Sequence, residues 1–387
     1  MPTRGTQDRA RLQAPSLNRS RRRWAASVSA VALALGLTAC TSSEDTRPAP
    51  GASKPSSNGF LASPGGSGDP YPAILQRADA FKAALTEKQR AQLLQPYTFE
   101  NASNWHTYPQ WYLGDSGRVG LDLGTLSDEQ WDALNALLAA ATGTGKNEGF
   151  DEIQQHLTAD DHLRQIGAGD GYGRGDFRVA FLGKPSPTGA WQLQFGGHHL
   201  ALSNTYSDGA LVGATPSFRG IEPLDPFRYQ GNTYAPERQE HQAFVTLLDS
   251  LNAAQRVKAE LDQKFADVLL APGKDWAFPA TPEGIAVSSL SDRQRALVIA
   301  AITHYVQDID DADAAAILKR YQGELDETYL SYSGSTSMTS AGDYVRIDGP
   351  SLWLEMVMDT PYTMDKPHPH AVWRDKTTDY GGLGRAS

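Results

Sequence analysis

The sequence predicts an α+β fold, with antiparallel sheet covered by amphipathic helices and signs of a pseudo-twofold internal duplication. Three observations carry this expectation. Four segments share one helix-start signature at regular spacing. Strand-like stretches gather behind the helices in each half. Gly-Pro-Ser and Gly-Lys-Pro-Ser turns separate those strands, as between antiparallel neighbours. The chain has 387 residues, 40% hydrophobic and 21% charged, which suffices for a sizeable core and argues against global disorder.

The first element reads as an export address. Arg19-Ser-Arg-Arg-Arg-Trp24 is followed by an Ala/Val/Leu run and then Leu37-Thr38-Ala39-Cys40. A basic segment, a short apolar run and a small-residue cleavage site make a secretory signal over residues 1–39. The apolar run is too short for a comfortable membrane span. Its last four residues resemble a lipoprotein lipobox, so Cys40, the only cysteine, is the expected lipidation site. Ser20-Arg-Arg-Arg-Trp24 also resembles a twin-arginine signal, and the choice between the two export routes stays open. Residues 40–70 are rich in Ser, Gly and Pro and read as the lipidated Cys and a flexible tether. The expected product is an exported protein of a bacterial cell envelope, held to the membrane through Cys40.

The domain proper is expected over 71–387. Leu85-Thr-Glu-Lys-Gln89, Leu126-Ser-Asp-Glu-Gln130, Leu251-Asn-Ala-Ala-Gln255 and Leu290-Ser-Asp-Arg-Gln294 each place Thr, Ser or Asn at an N-cap with Gln three residues on. That is capping-box chemistry, with an apolar residue just before it. The signatures recur as two pairs, which suggests half-repeats over 71–235 and 236–387. Strands are expected at Phe177–Leu182, Trp191–Leu202, Tyr329–Tyr332, Tyr344–Ile347 and Leu352–Met358. Matching Asp176-Phe-Arg-Val with Asp343-Tyr-Val-Arg sets Trp191 against Trp353, and the two histidine clusters at corresponding positions. The alternative is coincidence among common caps and turns.

Composition excludes several functions. Lys+Arg is 35 against Asp+Glu 45, a net charge of -10, and cleavage before Cys40 takes it to -16. Nucleic acid is therefore not an expected partner. A single Cys excludes a disulfide framework and cysteine-rich metal sites. Gly169-Asp-Gly-Tyr-Gly-Arg-Gly175 has no preceding apolar strand and no following Lys-Ser/Thr, so it is not a phosphate loop. No Gly-X-Ser-X-Gly is present.

Histidine carries the chemical signal. Gly196-Gly-His198-His199 and His368-Pro-His370 hold four of the nine histidines. Imidazole is the commonest transition-metal ligand near neutral pH. On a strand His368 and His370 face the same side. His198 and His199 face opposite sides unless the glycines make a turn, so one of the two is the expected ligand. Glu355 is a candidate third ligand or base. Arg374 is a candidate clamp for an anionic group, and Asp375 a base or orienting carboxylate. The implied cofactor is a divalent transition metal, Zn, Cu, Fe or Mn. His106, His156, His162, His241 and His304 are isolated and read as surface or satisfied core residues.

Trp191-Gln-Leu-Gln-Phe-Gly-Gly-His-His-Leu200, Thr215-Pro-Ser-Phe-Arg-Gly-Ile-Glu-Pro223 and His368-Pro-His-Ala-Val-Trp-Arg-Asp375 with Asp379-Tyr-Gly-Gly382 resemble the DUF3500 family. The resemblance runs from about Tyr71 to Gly384 and implies a shared fold and a shared histidine-bearing site, but no reaction. The matching positions are His198, His199, Glu355, His368, His370, Arg374, Asp375 and Asp379. Pro369 departs from the commoner pattern and puts a regular ladder there in question.

Two functions from different classes follow. One is an extracytoplasmic metal-dependent hydrolase or oxidoreductase acting on a small molecule. The other is a non-enzymatic lipoprotein that captures a small ligand or a metal, for which the aromatic residues near Trp105, Trp111, Trp191 and Trp353 are suited. A purely structural envelope protein is a third reading, in which the four histidines do not converge.

Overall fold

The computed structural model describes residues 69–114 and 117–385. The expected signal, Cys40 and nearly all of the tether lie outside the described residues. No helix among the described residues is long and apolar enough to cross a membrane.

In chain order, the first half carries helices α1 (Tyr71–Ala84), α2 (Glu87–Leu93), α3 (Phe99–Ala102), α4 (Gln110–Leu113), α5 (Asp128–Ala141) and α6 (Gly149–Gln165). Its strands are β1 (Leu94–Gln95), β2 (Leu121–Asp122), β3 (Arg178–Leu182), β4 (Ala190–Gly197), β5 (Leu200–Ser207), β6 (Ala210–Gly213), β7 (Ser217–Gly220), β8 (Phe227–Tyr229) and β9 (Asn232–Tyr234). The second half carries α7 (Arg238–Asp249), α8 (Ala253–Ala259), α9 (Asp292–Val306) and α10 (Asp311–Gly323). Its strands are β10 (Ile285–Ala286), β11 (Tyr329–Ser333), β12 (Tyr344–Asp348), β13 (Leu352–Asp359) and β14 (His368–Asp375).

All four expected capping boxes form, at Thr86/Gln89, Ser127/Gln130, Asn252/Gln255 and Ser291/Gln294. Each glutamine then does more than cap. Gln89 and Gln130 exchange amide hydrogen bonds at 3.0 Å, and Gln255 and Gln294 do the same at 3.1 and 2.9 Å. Gln130 also donates to the Ala84 carbonyl and Gln294 to the Ser250 carbonyl, at the C-terminal ends of α1 and α7. One residue type thus satisfies the end of one helix and the start of two others.

The strands form a 12-stranded mixed sheet with a central order β3-β4-β5-β7-β14-β13-β12-β11. Its pairs are antiparallel except for β1 against β3. The expected wholly antiparallel sheet is corrected by that parallel edge pair. The expected strand Trp191–Leu202 is broken at His198–His199, where β4 turns into β5. The strand matching is also out of step. Trp191 lies on β4, third from the central β7–β14 pair, whereas Trp353 lies on β13, second from it. Motif likeness between aromatic-Gly-Pro stretches does not report strand order, which is set by pairing at the centre of the sheet.

One face of the sheet packs on helices. Val179, Phe181, Trp191, Leu193 and Leu200 meet α1, α5 and α6, while Leu330, Ile347, Leu354, Ala371 and Trp373 meet α7, α9 and α10. The other face is covered by loops, with Trp105, Phe265 and Tyr380 against Phe218, Tyr344, Val357 and Val372. Period-two alternation thus divides each strand between a helix face and a loop face.

Candidate metal centre

β4 and β5 are joined by a two-residue turn, His198–His199, with Gly197 paired to Leu200. His199 takes the left-handed conformation, φ 62°, uncommon for a residue with a Cβ. The turn is anchored from both sides: the His199 N–H donates to the Thr107 carbonyl and the Gly220 N–H to the His199 carbonyl. Neither preceding glycine can be replaced cheaply. A Cβ at Gly197 would stand 2.3 Å from the Phe177 ring, and one at Gly196 2.5 Å from the Leu200 carbonyl.

β14 supplies the other two histidines. Its ladder to β13 is unbroken from Leu352↔Asp375 to Asp359↔His368, so Pro369 is accommodated at the start of the strand. His368 and His370 therefore face the same side. His370 also stands opposite Gly220 of β7, where a Cβ would meet Cδ2 of both His199 and His370 at 2.9 Å. The absence of a side chain at Gly220 lets the two rings approach across the strand.

His199, His368 and His370 each bring a ring nitrogen within 4.8 Å of the others, and all three are buried. Their ring centroids lie 4.9 to 5.1 Å apart. His370 Nδ1 is 3.1 Å from Asp267 Oδ1 and 3.7 Å from Asp359 Oδ2. A carboxylate there fixes the tautomer with the proton on Nδ1 and leaves Nε2 bare. His370 Nε2 and His368 Nδ1 are buried without a hydrogen bond. Burial first, then neighbouring imidazoles, push His199 well below the usual histidine range and His368 down to about 2. Neutral imidazole is the form that ligates a metal.

His198 is not one of the converging three. It stacks on His199 at 3.7 Å between centroids and its Nδ1 is 2.8 Å from Asp160 Oδ1, which α6 presents. Asp160 is itself held by the Gly173 N–H at 2.6 Å. The glycine turn thus makes one histidine a candidate ligand and the other a carboxylate-oriented base.

The three other sequence candidates are occupied elsewhere. Glu355 accepts from the Leu269 and Leu270 N–H groups at 2.8 Å, from Tyr344 Oη at 2.7 Å and from Trp353 Nε1 at 3.0 Å. Four donors leave it no lone pair to serve as base or ligand. Arg374 binds Asp379 at 2.7 Å and Asp275 at 2.9 Å and is fully buried, which corrects the anion-clamp reading. Asp375 accepts from Arg320, Tyr321 and the 377–378 turn on the opposite face of β14. All three brace the sheet. Arg118 donates through Nη2 to the carbonyls of His106, Tyr108 and Gly197, while its Nε and Nη1 are buried without a partner.

Sequence reasoning missed the surroundings. A cavity of about 270 Å³ opens beside His368, lined by Leu224, Met338, Met358, Met364 and Lys366. Tyr172 lies edge-on to His198 at 5.2 Å, Trp111 edge-on to Tyr172 at 6.4 Å, and Tyr112 beside Trp111 and Tyr108. Trp111, Tyr112, Tyr108 and Tyr362 are exposed, at 51, 57, 38 and 56%. Burial first, then Asp267 and Asp359, the carboxylates that flank His370, raise Tyr108 to about 12. Trp111 rests on Gly171, where a Cβ would stand 2.1 Å from its ring, so the glycine-rich loop makes room for an aromatic side chain. Trp111 and Tyr112 sit on the single turn of α4 and Tyr108, Tyr172 and Tyr362 on loops, and nothing local ties them to the histidines.

Against known proteins, residues 67–382 match one family model, described as a protein of unknown function, DUF3500. Comparisons with curated proteins and with solved structures each give no match.

Proposed function

As the chain belongs to the DUF3500 family, whose description assigns no reaction, we propose from the geometry that it is a metal-dependent enzyme with a three-histidine centre. The observation that carries this reading is the convergence of His199, His368 and His370, buried and from two separate segments, with ring nitrogens unspent and one ring oriented by a carboxylate. Three neutral ligands leave the full charge on a divalent ion, such as Zn²⁺, Cu²⁺, Fe²⁺ or Mn²⁺, and an open position beside it. Such an ion supplies Lewis-acid activation of water or of a substrate oxygen. His198, held by Asp160 and stacked on His199, moves the proton. The aromatic rim and the methionine-lined cavity receive a small organic molecule with a planar or sugar-ring face.

The exposed aromatic rim also favours a second reading, a lipoprotein that captures such a molecule without transforming it. The two readings separate on turnover, and only the first requires the metal. Elemental analysis of the full chain without a histidine tag, beside a His368→Ala/His370→Ala variant, tests the centre. Near-stoichiometric metal in the first, and loss of that equivalent in the second, is the expected result. No metal in either, after reconstitution with Zn²⁺, Cu²⁺, Fe²⁺ and Mn²⁺, overturns the metal-dependent enzyme and leaves capture at the aromatic rim.

The protein acts outside the cytoplasm in this proposal, anchored through lipidated Cys40 after removal of residues 1–39. Cys40→Ser is expected to move it from the membrane fraction to the soluble one. Unchanged membrane recovery refutes the anchor. The two halves derive from duplication. Supporting this are the matched glutamine pairs and the equal ranks of β3, β4 and β5 and of β11, β12 and β13 about the centre of the sheet. The histidine centre is then not a twofold feature: one cluster sits on a turn between two strands and the other at the start of a central one.

A further inference from the structure

α6 carries Glu152, His156 and Asp160 at four-residue spacing, along one face. Asp160 turns to His198. The other two meet Glu237 and Glu240 from the start of α7, on the helix face of the sheet beside Arg219 of β7. His156, read from the sequence as isolated, is 2% exposed, and Glu152, Glu237 and Glu240 are 1, 1 and 2% exposed. One donor atom from each of Glu152, His156 and Glu237 lies within 4.8 Å of the others.

The hydrogen bonds leave these donors unspent. His156 Nδ1 donates to the Glu152 carbonyl at 2.9 Å, which leaves the lone pair on Nε2. His156 Nε2 is buried without a hydrogen bond, 3.4 Å from Glu237 Oε1, with the Gly220 backbone also near the ring. Glu152 Oε1 accepts the Glu237 N–H at 3.0 Å, but Glu152 Oε2, both Glu237 oxygens and Glu240 Oε2 have no partner. Glu237 takes a left-handed backbone, φ 57°, as its carboxylate turns inward.

Charge makes the arrangement costly as it stands. Asp308 is a fourth buried carboxyl, and it already holds Arg219 at 2.5 Å. Arg219 is the cation that acts on Glu152 and Glu237. Burial first, then mutual repulsion, push Glu152 up to about 7 and Glu237 and Glu240 well above the carboxylate range. Protonation alone answers the charge but not the geometry. Each added O–H needs an acceptor; the bare His156 Nε2, 3.4 Å from Glu237 Oε1, can take one, and Glu152 Oε2 and Glu240 Oε2 remain without a partner. An ion satisfies the bare imidazole and the carboxylates together.

We propose that Glu152, His156 and Glu237 form a second cation site, with Glu240 beside them, for a divalent first-row ion of the Mn²⁺ type. An octahedral ion with donors at about 2.1 Å holds neighbouring donors about 3.0 Å apart, close to the 3.4 Å His156–Glu237 separation. Carboxylate-rich sets favour the harder ions, in contrast to the three-imidazole centre on the loop face. A cleft of about 550 Å³, lined by Asp151 and Gln155 of α6 and Arg238 and Gln239 of α7, lies along the segments that carry the donors.

The site shares no donor with the histidine centre, so the test isolates it. Full chains carrying His368→Ala/His370→Ala are titrated with Mn²⁺, the free ion being read by electron paramagnetic resonance. One bound equivalent is expected, weakened at least 30-fold by adding Glu237→Gln or Glu152→Gln. Bound Mn²⁺ is also expected to raise the unfolding temperature of this background, but not that of the Gln variants. No bound Mn²⁺ in a background that unfolds cooperatively overturns the proposal. Should that background fail to fold, the otherwise unmodified chain is compared with its Glu152→Gln/Glu237→Gln variant. Loss of one of two equivalents supports the site, and an unchanged count overturns it.

Discussion

Replacing Gly220 by alanine tests whether the three histidines act as one centre. The backbone there is ordinary strand, so the change introduces no backbone strain. What it introduces is one methyl group, 2.9 Å from Cδ2 of His199, 2.9 Å from Cδ2 of His370 and 3.0 Å from the Pro369 carbonyl. Carbon–carbon contacts settle at about 3.5 Å or more. Each ring must therefore retreat by roughly half an ångström, in opposite senses, which is about the tolerance of a functional geometry. The methyl wedges apart two of the three candidate ligands without removing a donor atom. Metal affinity is expected to fall about 10- to 100-fold, the range for disturbed ligand orientation. The metal-free protein should lose about 1–3 kcal/mol from overpacking. Competition against a calibrated chelator, with unfolding of the metal-free protein measured in parallel, separates the two effects. Affinity within twofold of the unmodified chain, in a protein that carries the methyl and remains folded, refutes the claim that His199 and His370 bind one ion.

Other outcomes follow from the same contacts. Glu355→Gln is expected to cost about 2–4 kcal/mol, because its two N–H groups face donors, yet to leave metal content unchanged. Loss of metal with stability retained returns Glu355 to the site. Asp176 accepts the Gln110 N–H that starts α4, and burial first, then Asp160, raise it to about 6. The folded state therefore binds this proton more tightly than the unfolded chain. Its contribution is most favourable below pH 4 and is lost as pH rises through about 6. Asp176→Asn should leave the unfolding temperature near that of the unmodified chain at pH 4 and raise it at pH 7.5. An equal shift at both pH values contradicts this.

How much of this was legible depended on the range of each interaction. The four helix starts were readable because a capping box closes within four residues, and the structure forms each one. The four histidines stood out because glycine and proline punctuate them locally. That His368 and His370 share a face follows from the strand repeat alone. Family membership was also legible in the motifs.

What the sequence could not supply was pairing across distance. Glu355 looked like a base because its partners, Leu269, Leu270 and Tyr344, come from elsewhere in the chain. Asp160 and Asp267, which orient His198 and His370, lie 38 and 103 residues away from them. His156 looked isolated because Glu237, just before α7, meets it only in the folded chain. Local hydrogen bonding and residue spacing determined the helix caps, the turn signals and which histidines were worth watching. Strand order at the centre of the sheet decided which of them meet. Side-chain chemistry is written residue by residue, but whether a lone pair is free depends on every donor the fold brings within reach.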